Sequence, residues 1–463
     1  MNTLDLARLQ FAVTTGVHWL FVILTLGLVP LIAIMHTQAA RTRDHDRLRM
    51  SRFWGRLYVI NYALGIVTGM VMEFQFGLSW SGLSKVTGNV FGAPLALETL
   101  IAFFAESTFL GMWIFGWGKL RPWLHVTLIW LVALTAYASA YWVLVTNGFM
   151  QAPVGYVMRD GVAYLTDFAA IMTNPSALVA LGHIVMAAML TGGLFVAGVA
   201  AYHLLRGREE FRASMRTGVL LAALATFPVY LMGGLQYPLI AQTQPMKMAV
   251  ISGGAGVPEL QKAMVAAHGP GDYVPPDWML RGQYLMLGLG YLLGVIALAA
   301  FLITFRERLM RRKLAAALAV LLVAFPAGEF TGAFLFNEAG PYRGALYVAW
   351  VAAMAAIMLA GDRLARPLRH LLTVVIPLPF LASVGGWVSR EVGRQPWVVY
   401  GELTTGQALS AGVSQATMLA SLLSFAAVLG ALAVANWTLI IRTARRGLEP
   451  AQPGVPAEPL PTF

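Results

Sequence analysis

Apolar stretches of twenty or more residues recur along the whole chain, divided by short polar runs. A membrane-spanning helix needs about 20 mainly apolar residues. That template predicts spans near 10–36, 53–77, 93–118, 123–147, 176–205, 215–235, 283–304, 314–337, 342–361, 368–388 and 413–442. The expected fold is an all-α integral membrane protein of about eleven transmembrane helices.

Charge supplies the orientation. With the N-terminus outside, the alternate segments assigned to the cytoplasm (41–56, 119–121, 206–216, 306–313, 363–369 and 442–446) hold 23 of the 32 Lys and Arg. Cytoplasmic loops carry such an excess, and one missed or invented span would invert every later loop. An odd number of spans with a cytoplasmic C-terminus follows. The net charge of +11 is therefore a topology signal and does not point to nucleic acid.

Composition agrees. Hydrophobic residues make up 58% of the chain and charged ones 11%, against about 25% charged in soluble domains. The 46 glycines suit closely packed membrane helices. There is no cysteine, which excludes cysteine-ligated iron–sulfur clusters, covalently attached c-type haem and disulfides. The start MNTLDLARLQ lacks the basic region of a cleavable signal.

Four parts are expected. Residues 1–235 form a first bundle of six spans, and 236–282 a long outer loop rich in Gly and Pro (GGAGVPELQ, GPGDYVPP). Residues 283–446 form a second helical part with a hairpin at 306–361, and 447–463 a disordered cytoplasmic tail. Long loops in compact proteins are functional or disordered.

Ionisable groups inside spans are costly and mark functional sites by default. They are His18, Glu73, Glu98, Glu106, His125, His183, His203, Glu329 and Glu391. His18, His183, Met286 and Glu391 fall at one depth, near the outer face, on four different predicted helices. That is the pattern of iron ligands projecting into a helical bundle. Each also has a plainer reading: His125 and His203 sit by basic cytoplasmic ends, and methionine commonly fills gaps. Proton-coupled transporters collect such groups without haem. Glu98 and Glu106, eight residues apart on one helix, would point within about 80° of each other and lie about 12 Å apart along the axis. They form a candidate proton relay or a pair of hydrogen-bonded structural acids.

The stretch GWVSREVGRQPW at 386–397 resembles a signature of the large subunit of cytochrome bd-type terminal oxidases. The first three spans agree with it throughout: RLQFAVTTGVHW, INYALGIVTGMVMEFQFGLSW and FGAPLALETLIAFFAESTFLGMWIFGW. So do NPSALVALGH and TQPMKMA; similarity covers roughly residues 1–305 and 362–446. The resemblance implies a quinol:oxygen oxidoreductase of the bacterial cell membrane, with electrons passing from membrane quinol to oxygen and protons taken from the cytoplasm.

It also implies roles. His18 is the axial ligand of haem d or a related haem, and His183 with Met286 holds a low-spin haem b. Glu391 ligates a high-spin haem b, with Trp387 between haems and Arg394 beside propionates. Glu98, Glu106 and Asn147 belong to a proton path, and Lys247 to the quinol site, with Arg281 nearby. The partners implied are a smaller membrane subunit (subunit II) and a small accessory peptide.

Three departures stand out. A glutamate common five residues after the quinol-site lysine is Ser252, and an arginine two residues before the methionine ligand is Tyr284. The family usually has nine spans, so 306–361 reads as an extra hairpin. It carries Glu338 in FLFNEAGPYRG, a rival to Glu391. The first two departures bear on the quinol site, so a bd-like oxygen reductase with another donor is the alternative reading, and a haem-free proton-coupled transporter the more distant one.

Overall fold

The computed structural model describes residues 1–335 and 343–448. The expected tail lies outside the described residues from 449 onward, as does Glu338, and of Glu329 only the backbone is described.

Helices dominate. In order they are α1 (Thr3–Thr42), α2 (His45–Leu78), α3 (Ser81–Leu97), a π turn (Glu98–Phe103), α4 (Phe104–Phe115) and α5 (Pro122–Gln151). A hairpin of β1 (Tyr156–Arg159) and β2 (Val162–Leu165) leads to α6 (Phe168–Met172), α7 (Pro175–Leu204) and α8 (Arg212–Gly234). Then come α9 (Gln236–Thr243), α10 (Pro245–Ile251), α11 (Val257–His268), α12 (Met279–Met310), α13 (Lys313–Leu335), α14 (Arg343–Leu359), α15 (Gly361–Val374) and α16 (Leu378–Val392). A second hairpin, β3 (Trp397–Val399) with β4 (Leu403–Thr404), precedes α17 (Thr405–Ala408) and α18 (Gln415–Arg446).

Local chemistry sets these ends. Asn2 and Asp5 form a capping box on α1, and Asp44 accepts from the backbone N–H groups of Asp46 and Arg47. Pro122 and Pro175 open α5 and α7, where a missing N–H costs nothing.

α1 is the central pillar, packed against α2, α5, α7 and α18. Its crossing with α7 is backbone on backbone: a Cβ at Gly27 would strike Ala188 and Gly192. Small residues allow such approach, and buried polar groups bond across helices in apolar surroundings. Asn61 donates to Phe21 O at 2.8 Å, and Gln75 to Thr14 Oγ1 at 2.9 Å.

Among the described residues, eight helical stretches are long and apolar enough to cross a membrane, or nine if one bent pair counts as a span. This establishes a multi-pass membrane protein, and the count stops short of the eleven expected. The difference lies between 313 and 392. α14 turns by 97° into α15, so those two do not form one straight helix. α15 is amphipathic: Gly361, Leu368 and Leu372 are buried against the bundle while Arg363 and Arg366 face outward. The span expected at 368–388 is broken at 375–377, and Pro377 is the N-cap of the 15-residue α16.

The segment 236–282, expected as a long outer loop, holds regular structure. It contains α9, α10 and α11, and Lys247 within it is buried. The 306–361 segment packs α13 and α14 on α12, and Arg306 pairs with Asp362 at 2.6 Å.

Candidate functional site

Four candidate groups lie at one end of the bundle, in the first half of α1, near the starts of α7 and α12, and at the end of α16. His18 Nδ1 is hydrogen-bonded to Thr68 Oγ1 at 2.9 Å, and His183 Nδ1 to the carbonyl of Val229 at 2.8 Å. A carbonyl only accepts, so His183 carries its proton on Nδ1 and keeps an unprotonated Nε2. That is the tautomer a metal-binding imidazole uses.

A glycine faces each of three of these side chains. A Cβ on Gly69 would lie 3.2 Å from the His18 ring, one on Gly233 would lie 3.2 Å from the His183 ring, and one on Gly386 would lie 2.8 Å from Met286 Sδ. The absence of Cβ lets each backbone pack directly against the side chain. α16 gathers the set: Gly386 touches Met286, and Trp387 meets Trp19, the neighbour of His18, edge-on with centroids 5.0 Å apart. Close backbone packing of Gly282 against Gly385 holds α12 to α16.

Glu391 is not a bare carboxylate. Arg394 Nη2 donates to its Oε2 at 2.6 Å, and Asn147 Nδ2 and Gln151 Nε2 donate to its Oε1 at 2.9 and 3.2 Å. Arg390 reaches Asn147, Gln236 and the carbonyl of Ser176, which belong to three different helices. Lys247 Nζ donates to the carbonyl of Arg390 at 3.0 Å. Burial, then the nearby Arg390 cation, pushes the Lys247 ammonium down to about 7.

This region fits an iron porphyrin carrying propionates. The imidazole nitrogens and the thioether are iron donors. Buried donors are left over for anions: Arg394 Nε and Nη1 and Trp397 Nε1 have no hydrogen-bond partner among the described residues. Two guanidinium cations, Arg390 and Arg394, lie beside one carboxylate, Glu391, an excess of positive charge that further carboxylates would neutralise.

Other expected residues fall elsewhere. Glu98 accepts from Ser139 Oγ at 2.6 Å, and Glu106 from the Tyr58 hydroxyl at 3.3 Å. The π turn between them means that eight regular α steps do not relate them, so the 80° separation drawn from an α-helix does not apply. Arg281 is exposed, whereas Lys247 is buried. Tyr284 is also exposed. His203 uses both ring nitrogens structurally, on Ala444 O at 2.7 Å and Arg208 Nη1 at 3.2 Å. His125 bonds Trp113 O at 2.7 Å beside His36. Among the described residues no group of three or more His, Cys, Asp or Glu could hold a bare metal ion.

Sequence reasoning missed Arg390, Gln151, Gln236 and Gln244. Arg390 and Gln244 stand inside the quoted stretches WVSREVGRQPW and TQPMKMA, and Gln151 ends α5 four residues after Asn147.

The family described as cytochrome bd terminal oxidase subunit I matches residues 6–267 and 255–448. This chain belongs to that family. It is 34% identical to cytochrome bd ubiquinol oxidase subunit 1 of Bacillus subtilis, over 97% of this chain and 95% of that one. It is 44% identical to cytochrome bd-II ubiquinol oxidase subunit 1 of Escherichia coli over 54% of this chain and 50% of that one. The solved bd oxidase from Geobacillus thermodenitrificans matches with a TM-score of 0.73 at 23% identity, covering 96% of this chain and 99% of that one. This bd-family membrane subunit is thus an oxidoreductase component of a terminal oxidase, and its family implies haem cofactors.

Proposed function

We propose that the chain is the haem-bearing subunit of a quinol:oxygen oxidoreductase. Two quinols would each give up two electrons and two protons, and one oxygen would take four of each to form two waters. Haems bound here would supply the one-electron relay between donor and oxygen.

His183 and Met286 would hold a low-spin haem b, a ligand pair that raises the potential. His18 would hold haem d or a related haem, the group that would supply the oxygen chemistry. Glu391 would serve a high-spin haem b, its charge fixed by Arg394, Asn147 and Gln151. Trp387 would stand between haem sites, and Arg394 would face propionates. Glu98 and Glu106 would pass protons from the cytoplasm, and a smaller subunit would complete the complex. The observation carrying this reading is the gathering of two imidazole nitrogens and a thioether, each beside a glycine, at one end of the bundle.

The test is a reduced-minus-oxidised spectrum of the purified complex and of His18→Ala, His183→Ala and Met286→Leu. Each variant should lose or alter a different haem band. Unchanged bands in all three would refute the assignment.

A second reading, with a donor other than quinol, gains from the placement of Lys247 and Arg281. One points inward to Arg390 and the other stands apart in the open. Loss of quinol-dependent oxygen uptake in Lys247→Ala, with the haem spectrum intact, supports the first reading. Undiminished uptake favours the second.

A further inference from the structure

Two side-chain amides donate to Glu391 Oε1, and each is oriented by another donor. Arg390 Nε donates to Asn147 Oδ1 at 2.9 Å; a guanidinium only donates, so the Asn147 NH2 must face Glu391. Gln244 Nε2 donates both to the backbone carbonyl of Gln151, at 2.9 Å, and to its Oε1, at 2.7 Å. A carbonyl only accepts, which fixes the Gln244 amide. Gln151 Oε1 must then accept, and the Gln151 NH2 must point to Glu391. The two glutamines are 1% and 2% exposed, so water does not replace these bonds. Gln244 stands between α9 and α10, in the outer segment 236–282.

We propose that Gln151 is a positioning residue, joining the outer segment through Gln244 to the Glu391 carboxylate. The proposal rests on the reading that Glu391 serves a haem iron. A hydrogen bond to a carboxylate withdraws charge from it, and a carboxylate with less charge favours the ferric state less. Movement of the outer segment that draws Gln244 away would free the Gln151 amide to turn and restore charge to Glu391. The donor site and the haem potential would then be coupled through one row of amides, and the coupling would act in both directions.

The experiment is a potentiometric titration of the purified complex. Gln151→Leu should keep full haem content and lower the midpoint of the haem served by Glu391 by about tenfold in the ferric-to-ferrous ratio, 59 mV for one electron. The His183–Met286 haem should not move. Gln244→Leu, which never touches Glu391, should shift the same midpoint in the same direction by less, and the double variant should shift no further than Gln151→Leu alone. An unmoved midpoint, or additive shifts, overturns the proposal. If Gln151→Leu does not assemble, Gln244→Leu alone carries the test. Glu391→Ala separates the underlying reading: a retained high-spin haem b in that variant refutes the ligand assignment itself.

Discussion

Trp19 and Trp387 meet edge to face, with ring centroids 5.0 Å apart, and so join the helix of His18 to the helix of Glu391. Such pairs contribute about 0.5–1.5 kcal/mol beyond the area they bury. Trp387→Leu should lower the melting temperature of the purified complex and broaden the bands of the haem proposed for His18. Trp387→Phe should restore most of the stability. A Leu variant with native bands and native melting would remove Trp387 from the site.

Gly386 gives a sharper test. Its missing Cβ would fall 2.8 Å from Met286 Sδ, closer than a real carbon tolerates. Gly386→Val should displace the thioether and convert a low-spin haem signal to a high-spin one at unchanged haem content. Retention of the low-spin bands would show that Met286 is not a ligand.

Lys247 predicts a pH dependence. Its folded pKa, about 7, lies below the ordinary 10.5, so the fold prefers the neutral amine. The associated stability is complete above pH 10.5 and is lost as pH falls toward 7, by at most about 1.4 kcal/mol per unit. Melting between pH 7 and 10 should show wild type gaining on Lys247→Met as pH rises. Parallel curves would contradict the burial of this group.

His203 provides the contrast with ligand histidines. Both its nitrogens are bonded, and its ring stacks on Phe211 at 4.0 Å. His203→Ala should cost about 1–3 kcal/mol by leaving buried partners unsatisfied, with every haem band unchanged. Any loss of haem in this variant would contradict the structural assignment.

Much of this was legible beforehand because depth in a membrane is read from hydropathy. His18, His183 and Met286 lie on α1, α7 and α12, helices that the apolar runs predicted. The segment 236–282 was harder. Pro245 and Pro258 look like breakers in a polar, Gly-rich stretch, yet both open helices, where proline is favoured. The break before α16 was hidden because an apolar run gives no sign of a turn inside it. Of the partners of Glu391, Arg394 and Asn147 stood among the expected residues, but the network behind them was not legible. Gln151, Gln244 and Arg390 meet only in three dimensions, and a glutamine at a helix end ordinarily means solvent.

The wide turn at Glu98–Phe103 separates two parts of one membrane crossing. Each extra residue held there rotates everything beyond it by about 100° relative to what precedes it. The bearing of Glu106 toward Tyr58 is thereby set separately from that of Glu98 toward Ser139. Shortening this crossing by a single residue would straighten it and swing Glu106 away from its tyrosine, while every contact made before Glu98 stayed in place.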